Sequence, residues 1–312
     1  MHRFRFILLR PFELIPVLIG ISVITFLLVH FLPGNPAYVL LGPKATDAAV
    51  QAIEQKFGLD QPLFIQYFYF LGNLLQGDMG QSVVYKMPVL DVIRGHVSPT
   101  IFLIVYGVVL ACILSFVMAL LAAIREGKLL DHVIRIISTS GLGLPSFWVG
   151  VLLMLVFSVR LGLFPVSGFG KGFVGHLHSL FLPALTVAIS LTPILVRNLR
   201  SSLLREASAD YIVSARSKNL PSRIIWIRHI FRNSLVATVN LLGVTTGWLF
   251  GGVVVIEMVF SIPGIGHLMV SSIFTRDYLV VEAVTMIMAL GIVTTNFVVD
   301  IITVCLDPRV DL

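Results

Sequence analysis

The chain has 312 residues, of which 57% are hydrophobic and only 12% charged, with a net charge of +6. Soluble domains carry about 25% charged residues, so a soluble enzyme or binding module is excluded. Disorder is excluded too, because it needs low hydrophobicity and high charge.

An integral membrane protein remains, and it reads as one unit, with no internal repeat or low-complexity linker. A spanning helix needs about 20 apolar residues, and six stretches qualify: 11–32, 100–124, 141–159, 180–196, 236–256 and 283–305. The expected fold class is therefore all-α, with six transmembrane helices. The opening MHRFRFILLR and the apolar run behind it resemble a signal peptide, but no small-x-small cleavage site follows, so the run reads as an uncleaved anchor. The third stretch is expected to extend on its N-terminal side, and Pro145, Pro183 and Pro193 are expected to kink or interrupt spans. Cys112 and Cys305 lie within apolar runs and read as small packed or lipid-facing residues.

Orientation follows from the basic residues, which concentrate on the cytoplasmic side of membrane proteins. Fifteen of the 22 fall on one side, eight of them between Arg197 and Arg232. That count puts both termini in the cytoplasm and makes the basic charge a matter of topology, with no nucleic acid implied. Residues 1–32 form the N-terminal segment and first span. Residues 33–99 form an extracytoplasmic loop region carrying a candidate amphipathic helix, ATDAAVQAIEQKF, followed by LDQPLFIQYFYFLGNLL. Residues 100–312 form a five-helix core with a cytoplasmic hairpin at 197–233.

In that hairpin, Leu199, Leu203, Ala207, Tyr211 and Ala215 recur every four residues, which predicts one helix over 199–218. Asn219 stands where a left-handed residue would end it, and Pro221 suits the start of a second helix through SRIIWIRHIFRN. Such a hairpin serves either to lie on anionic lipid or to dock a cytoplasmic partner.

The run EASADYIVSARSKNL resembles the EAA loop of ABC importer permeases. Glu206 and Ala207 match, Ser208 replaces the second alanine and Asn219 replaces the glycine. The likeness extends along the chain to the dipeptide/oligopeptide/nickel permease family, through HFLPGNP (30–36), FGLDQP (57–62), GDMGQS (77–82), PV (88–89), SPT (98–100), GLPSFW (143–148), EMVFSIPGIG (257–266), RDY (276–278), Asn296 with Asp300, and DPR (307–309). The long outer loop resembles that of the first, or "B", permease of the pair. Asn35, where aspartate is common, and the short ending depart from the family pattern.

The resemblance implies an ATP-driven importer subunit working by alternating access in a bacterial inner membrane. The implied partners are a second permease, two ATP-binding subunits and an extracytoplasmic solute-binding protein. Arg205, Glu206, Ala207, Asp210, Tyr211, Ala215, Lys218, Asn219 and Leu220 then become candidates for the ATPase contact. No phosphate-cradling G-x-x-x-x-G-K-[ST] occurs in the chain, so ATP and Mg are expected on partner subunits and no cofactor on this one. The solute is expected to be a dipeptide, an oligopeptide or a related small molecule such as glutathione, a nickel chelate or an opine.

Gly243, Gly247 and Gly251 repeat every four residues and predict close helix approach, within the chain or against the second permease. Glu257, Arg276, Asp277, Asn296 and Asp300 are polar candidates for structural or pathway roles. His176 and His178 lack the further ligands that a metal site needs. No catalytic constellation is present, and no catalytic or metal-binding residue is assigned. A secondary transporter driven by an ion gradient is the competing reading. It requires several buried ionisable groups on the path, of which Asp300 is the main candidate.

Overall fold

The computed structural model describes residues 15–27, 46–47 and 61–306, and their regular elements are helices. In chain order these are α1 Ile15–Leu27, α2 Leu63–Leu75, α3 Val89–Ile124 and α4 Leu129–Gly141. Helix α5 is Ser146–Leu153 and runs on as a π-helix, Met154–Arg160. Then follow α6 Gly172–Ser179, α7 Phe181–Ala207 and α8 Asp210–Ser217. The last three are α9 Ser222–Val259, α10 Ile265–Phe274 and α11 Tyr278–Leu306.

Helices α3, α7, α9 and α11 are each long and apolar enough to cross a membrane, and α4 with α5 forms a fifth candidate broken by a 107° bend. The described part of the first predicted span, α1, is shorter. The rest of 11–32, HFLPGNP, the ATDAAVQAIEQKF helix beyond Asp47 and the terminal DPR lie outside the described residues.

Several boundaries differ from the sequence reading. Helix α3 begins at Val89, eleven residues before the predicted span, and carries Pro99 inside it. The third span is not extended toward its N-terminus. The chain breaks ahead of Pro145, because a proline disfavours helical backbone in the residue before it. Helix α4, which carries Asp131, His132 and Arg135, lies across the end of α5 and does not continue it. Pro183 sits in the first turn of α7, where its missing N–H costs nothing, and Pro193 is accommodated within the same helix.

Helix α7 is the centre of the bundle. Two-thirds of its apolar window (67%) is buried, against 22% for α3 and 17% for α11. Where α3 meets it, α3 buries small residues, Gly107, Ala111, Ser115, Ala119 and Ala122, and turns Ile101, Val105, Val109, Ile113 and Val117 outward. This inversion is the mark of a lipid-facing helix: lipid is as apolar as the side chains, so packing favours small residues that let backbones approach. A Cβ on Gly107 would come within 2.6 Å of a Val187 methyl.

The predicted glycine stripe divides along α9. Gly243 packs against α11, where an added Cβ would meet Val299 at 2.7 Å; Gly247 is looser, 3.8 Å from Ile292, and Gly251 faces open space. Gly243→Val is therefore expected to cost about 1–3 kcal/mol through overpacking, read as a lower melting midpoint of the purified protein in detergent. Gly251→Ala should not lower that midpoint, because the added Cβ meets open space and alanine favours the helix.

Candidate functional site

The Arg-rich segment joins α7 to α9 at one end of the bundle. Its residues 199–218 do not form one helix as the four-residue periodicity predicts. Helix α7 ends at Ala207, Ser208 closes it, Ala209 is extended, and Asp210 opens α8. The Leu204 carbonyl accepts both the Ser208 N–H at 3.2 Å and the Ser208 hydroxyl at 3.0 Å. The break shifts the phase, so Ile212 and Ala215 face inward and Tyr211 is 41% exposed. The inward pair packs with Ala119, Ile134, Leu199, Leu203 and Ile230.

The far end of α8 follows the sequence reading. Asn219 has φ +52°. Its N–H donates to the Arg216 carbonyl at 3.0 Å, and the Leu220 N–H donates to the Ala215 carbonyl at 3.3 Å, the paired closure of a Schellman motif. Pro221 then precedes α9. SRIIWIRHIFRN is not the arm of a separate surface hairpin, because it forms the first turns of α9, π-helical over Ile225–Phe231.

Of the nine loop candidates, Glu206 and Tyr211 touch directly. The Tyr211 hydroxyl donates to the Glu206 carboxylate, and the Asn233 amide donates to that hydroxyl at 3.1 Å. This chain of bonds ties the end of α7 to the base of α9 through α8. Partial burial, with the Glu206 carboxylate alongside, raises the Tyr211 phenol above its ordinary pKa. Arg205 reaches back to Ser202 at 3.3 Å, Ala207 packs on the core, and Asp210, Lys218, Asn219 and Leu220 remain exposed.

One ion pair behind this loop escaped the sequence reading. Asp131, 1% exposed, receives both Nε and Nη2 of Arg200 at 2.7 Å and the Gly127 N–H at 3.1 Å. The fork-on-carboxylate geometry fastens α4 to α7 two turns before Glu206. Hydrogen bonding from Arg200 holds the Asp131 carboxyl below the ordinary carboxylate range.

At the opposite end of the bundle, two further polar ties join family motifs that are remote in sequence. Glu257 is fully buried; it accepts from the Thr100 hydroxyl at 2.5 Å and from the His267 N–H at 2.9 Å, while Thr100 in turn accepts from the Ile265 N–H at 2.8 Å. The carboxylate thus sits on the positive N-terminal end of α10. A side chain at Gly264 would collide with it, and one at Gly266 would come within 2.7 Å of the Val254 backbone. Close approach explains both glycines of EMVFSIPGIG. Asp277, also buried, accepts from the Ser82 hydroxyl at 2.5 Å and the Val84 N–H at 3.2 Å, which pins the GDMGQS turn to the start of α11.

The remaining candidates stand apart from these ties. Arg276 is exposed with φ +57°, Asn296 is exposed, and Asp300 is partly buried farther along α11. Glu282, which the predicted sixth span just excluded, is buried in the second turn of α11 at 7% exposure. His176 and His178 contact different backbone carbonyls, those of Phe169 at 2.8 Å and Leu163 at 3.0 Å, and His176 stacks on Phe169. Among the described residues no group of three metal-ligating side chains converges.

Comparison with known families agrees with this architecture. Residues 115–312 match the model described as binding-protein-dependent transport system inner membrane component, and residues 3–94 match the N-terminal model of the same membrane component. The chain belongs to the binding-protein-dependent transport permeases. It is 35% identical over 305 residues, covering 98% of both chains, to the glutathione transport system permease protein GsiC of Escherichia coli O6:H1 (strain CFT073). The GsiC proteins of Shigella dysenteriae serotype 1 and Shigella boydii serotype 4 are 35% and 34% identical over the same coverage. The chain is thus a multi-pass inner-membrane permease subunit of an ATP-driven importer, and hydrolysis of ATP belongs to separate subunits.

The Asp131–Arg200 pair supplies a stability test for this permease. Asp131→Ala leaves Arg200 without its carboxylate and is expected to cost about 3–5 kcal/mol. The native pKa of Asp131 lies below its unfolded value of about 3.9. The stability it adds is therefore complete above that pH and is lost as pH falls through the lower native value. Melting curves from about pH 6 down to about pH 3 should show the wild-type advantage over Asp131→Asn shrinking at the acid end.

Proposed function

We propose that this permease imports dipeptides, oligopeptides or a related solute such as glutathione, and that segment 205–220 is where the ATPase subunits drive it. The assembly in this reading contains a second permease, two ATP-binding subunits and an extracytoplasmic solute-binding protein. This chain contributes six spans with both termini in the cytoplasm, and ATP and Mg reside on the partner subunits. The full-length likeness to glutathione permeases supports the solute class. The distribution of Lys and Arg supports the orientation.

The observation that carries the coupling role is the seating of α8. Ile212 and Ala215 are buried in the bundle, while Asp210, Val213, Arg216, Lys218 and Asn219 form an uncovered face. A partner pressing on that face pushes the short helix as a body, and the Glu206–Tyr211–Asn233 bonds pass the displacement to both α7 and α9. Closing of the ATPases on ATP then moves α8 and switches the spans from inward- to outward-facing, and the binding protein delivers solute to the outer side.

The test uses the reconstituted complex with its ATPases and binding protein. Glu206→Lys and Ala207→Trp are each expected to lower transport-coupled ATP hydrolysis about tenfold or more, within the range of ordinary coupling energies. Glu206→Lys should still fold, and a melting curve of the purified Ala207→Trp permease separates lost coupling from overpacking against the core. Full assembly together with full coupled hydrolysis in both variants would place the ATPase contact elsewhere.

A further inference from the structure

Helices α4 and α7 enclose a cavity of about 260 Å3 lined by residues that include Arg135, Ser138, Leu142, Arg197 and Arg200. Three arginines line this space, and among the described residues Asp131 is the one carboxylate that answers them. Its two oxygens are taken by Arg200 and the Gly127 N–H. Arg135 and Arg197 are exposed, and among the described residues neither has an acidic group within ion-pair distance. Counted over the described residues, the cavity lining therefore carries more positive than negative charge.

A second observation points to an occupant. Ser138 lines the cavity at 7% exposure, and its hydroxyl has no hydrogen-bond partner among the described residues. A buried donor left unpaired costs about 1–3 kcal/mol, a cost that an oxyanion in the cavity removes. A third observation says what is attached to that anion. Leu142, 49% exposed, lines the cavity beside the arginines, together with Pro193 and Val196. Apolar surface at the mouth of a cationic pocket, at the end of a membrane bundle, suits a charged head joined to hydrocarbon chains.

We propose that this cavity seats the phosphate headgroup of an anionic phospholipid. Under the orientation given above, on which only the choice of leaflet rests, the lipid belongs to the cytoplasmic leaflet. Arg135 and Arg197 contact the phosphate oxygens, Ser138 donates its hydroxyl, and Arg200 is left to Asp131. The site braces α4 against the stretch of α7 that leads into Glu206.

Native mass spectrometry of the full transporter, delipidated and then titrated, tests this. Phosphatidylglycerol should bind the wild-type complex, and Arg135→Gln/Arg197→Gln should weaken it about thirtyfold, roughly fivefold for each surface arginine. Both side chains are exposed, so the fold is not at stake, and Ser138→Ala should give a smaller loss. Zwitterionic phosphatidylcholine should bind more weakly, and soluble glycerol phosphate at equal concentration should not displace phosphatidylglycerol. Unchanged binding in the double variant overturns the proposal. So does displacement by glycerol phosphate, which would make the ligand a soluble anion. Loss of the second permease with lipid binding retained would make the cavity a protein contact and overturn it equally. Labelling of Ser140→Cys by an impermeant maleimide, in a Cys112→Ser/Cys305→Ser background, separately reads the leaflet. Protection in sealed cells upholds the orientation, whereas labelling from outside overturns it and the leaflet with it, while the lipid titration still decides the site.

Discussion

The close approach of α3 to α7 is the constraint on which the rest of the bundle depends. Inside a membrane the exclusion of water no longer drives helices together, and dispersion across well-fitted backbones takes its place. Gly107, Ala111, Ser115, Ala119 and Ala122 make that fit possible on α3. Because α7 is held so deeply, α9, α5 and α4 can each use another of its faces, and its Arg-rich end is a fixed point from which α8 hangs.

Polar ties then set what the apolar packing leaves undetermined. Apolar faces slide at little cost, whereas a buried carboxylate is held in one position by the donors that reach it. Asp131, Glu257 and Asp277 each fix a junction: α4 on α7, α10 on α3, and the GDMGQS turn on α11. All three lie at helix ends, where backbone N–H groups or a guanidinium reach them. Away from these ends the packing is mainly apolar, with a bond from the Thr303 hydroxyl to the Asn240 side-chain carbonyl at 2.6 Å joining α11 to α9.

Much of this was legible in the chain. The four long helices follow from runs of apolar residues, and the left-handed Asn219 from an asparagine placed before Leu-Pro. What could not be read was pairing. Ser82 and Asp277 stand 195 positions apart, Thr100 and Glu257 157, and Asp131 and Arg200 69. One sequence carries no signal linking such partners, so the acids read as isolated polar residues. The reading of 199–218 as one helix failed for a different reason. Its four-residue periodicity continues across Ser208–Ala209, and only the local backbone chemistry of Ser-Ala-Asp, which competes with helical bonding, argued for a break.

The π-helical opening of α9 shows the same limit and carries a consequence of its own. Ile225 and Ile230 are both buried although they are five residues apart. In an α-helix of 3.6 residues per turn that spacing turns a side chain about 140° away. The wider turn of Ile225–Phe231 absorbs one residue more than an α-helix would need there. Between α8 and the apolar part of α9, the chain thus holds a reserve of length. Over evolutionary time this is where a one-residue insertion or deletion is absorbed most cheaply. A change in that turn resets the angular phase of the loop against the bundle and leaves every contact of α9 beyond Arg232 in register.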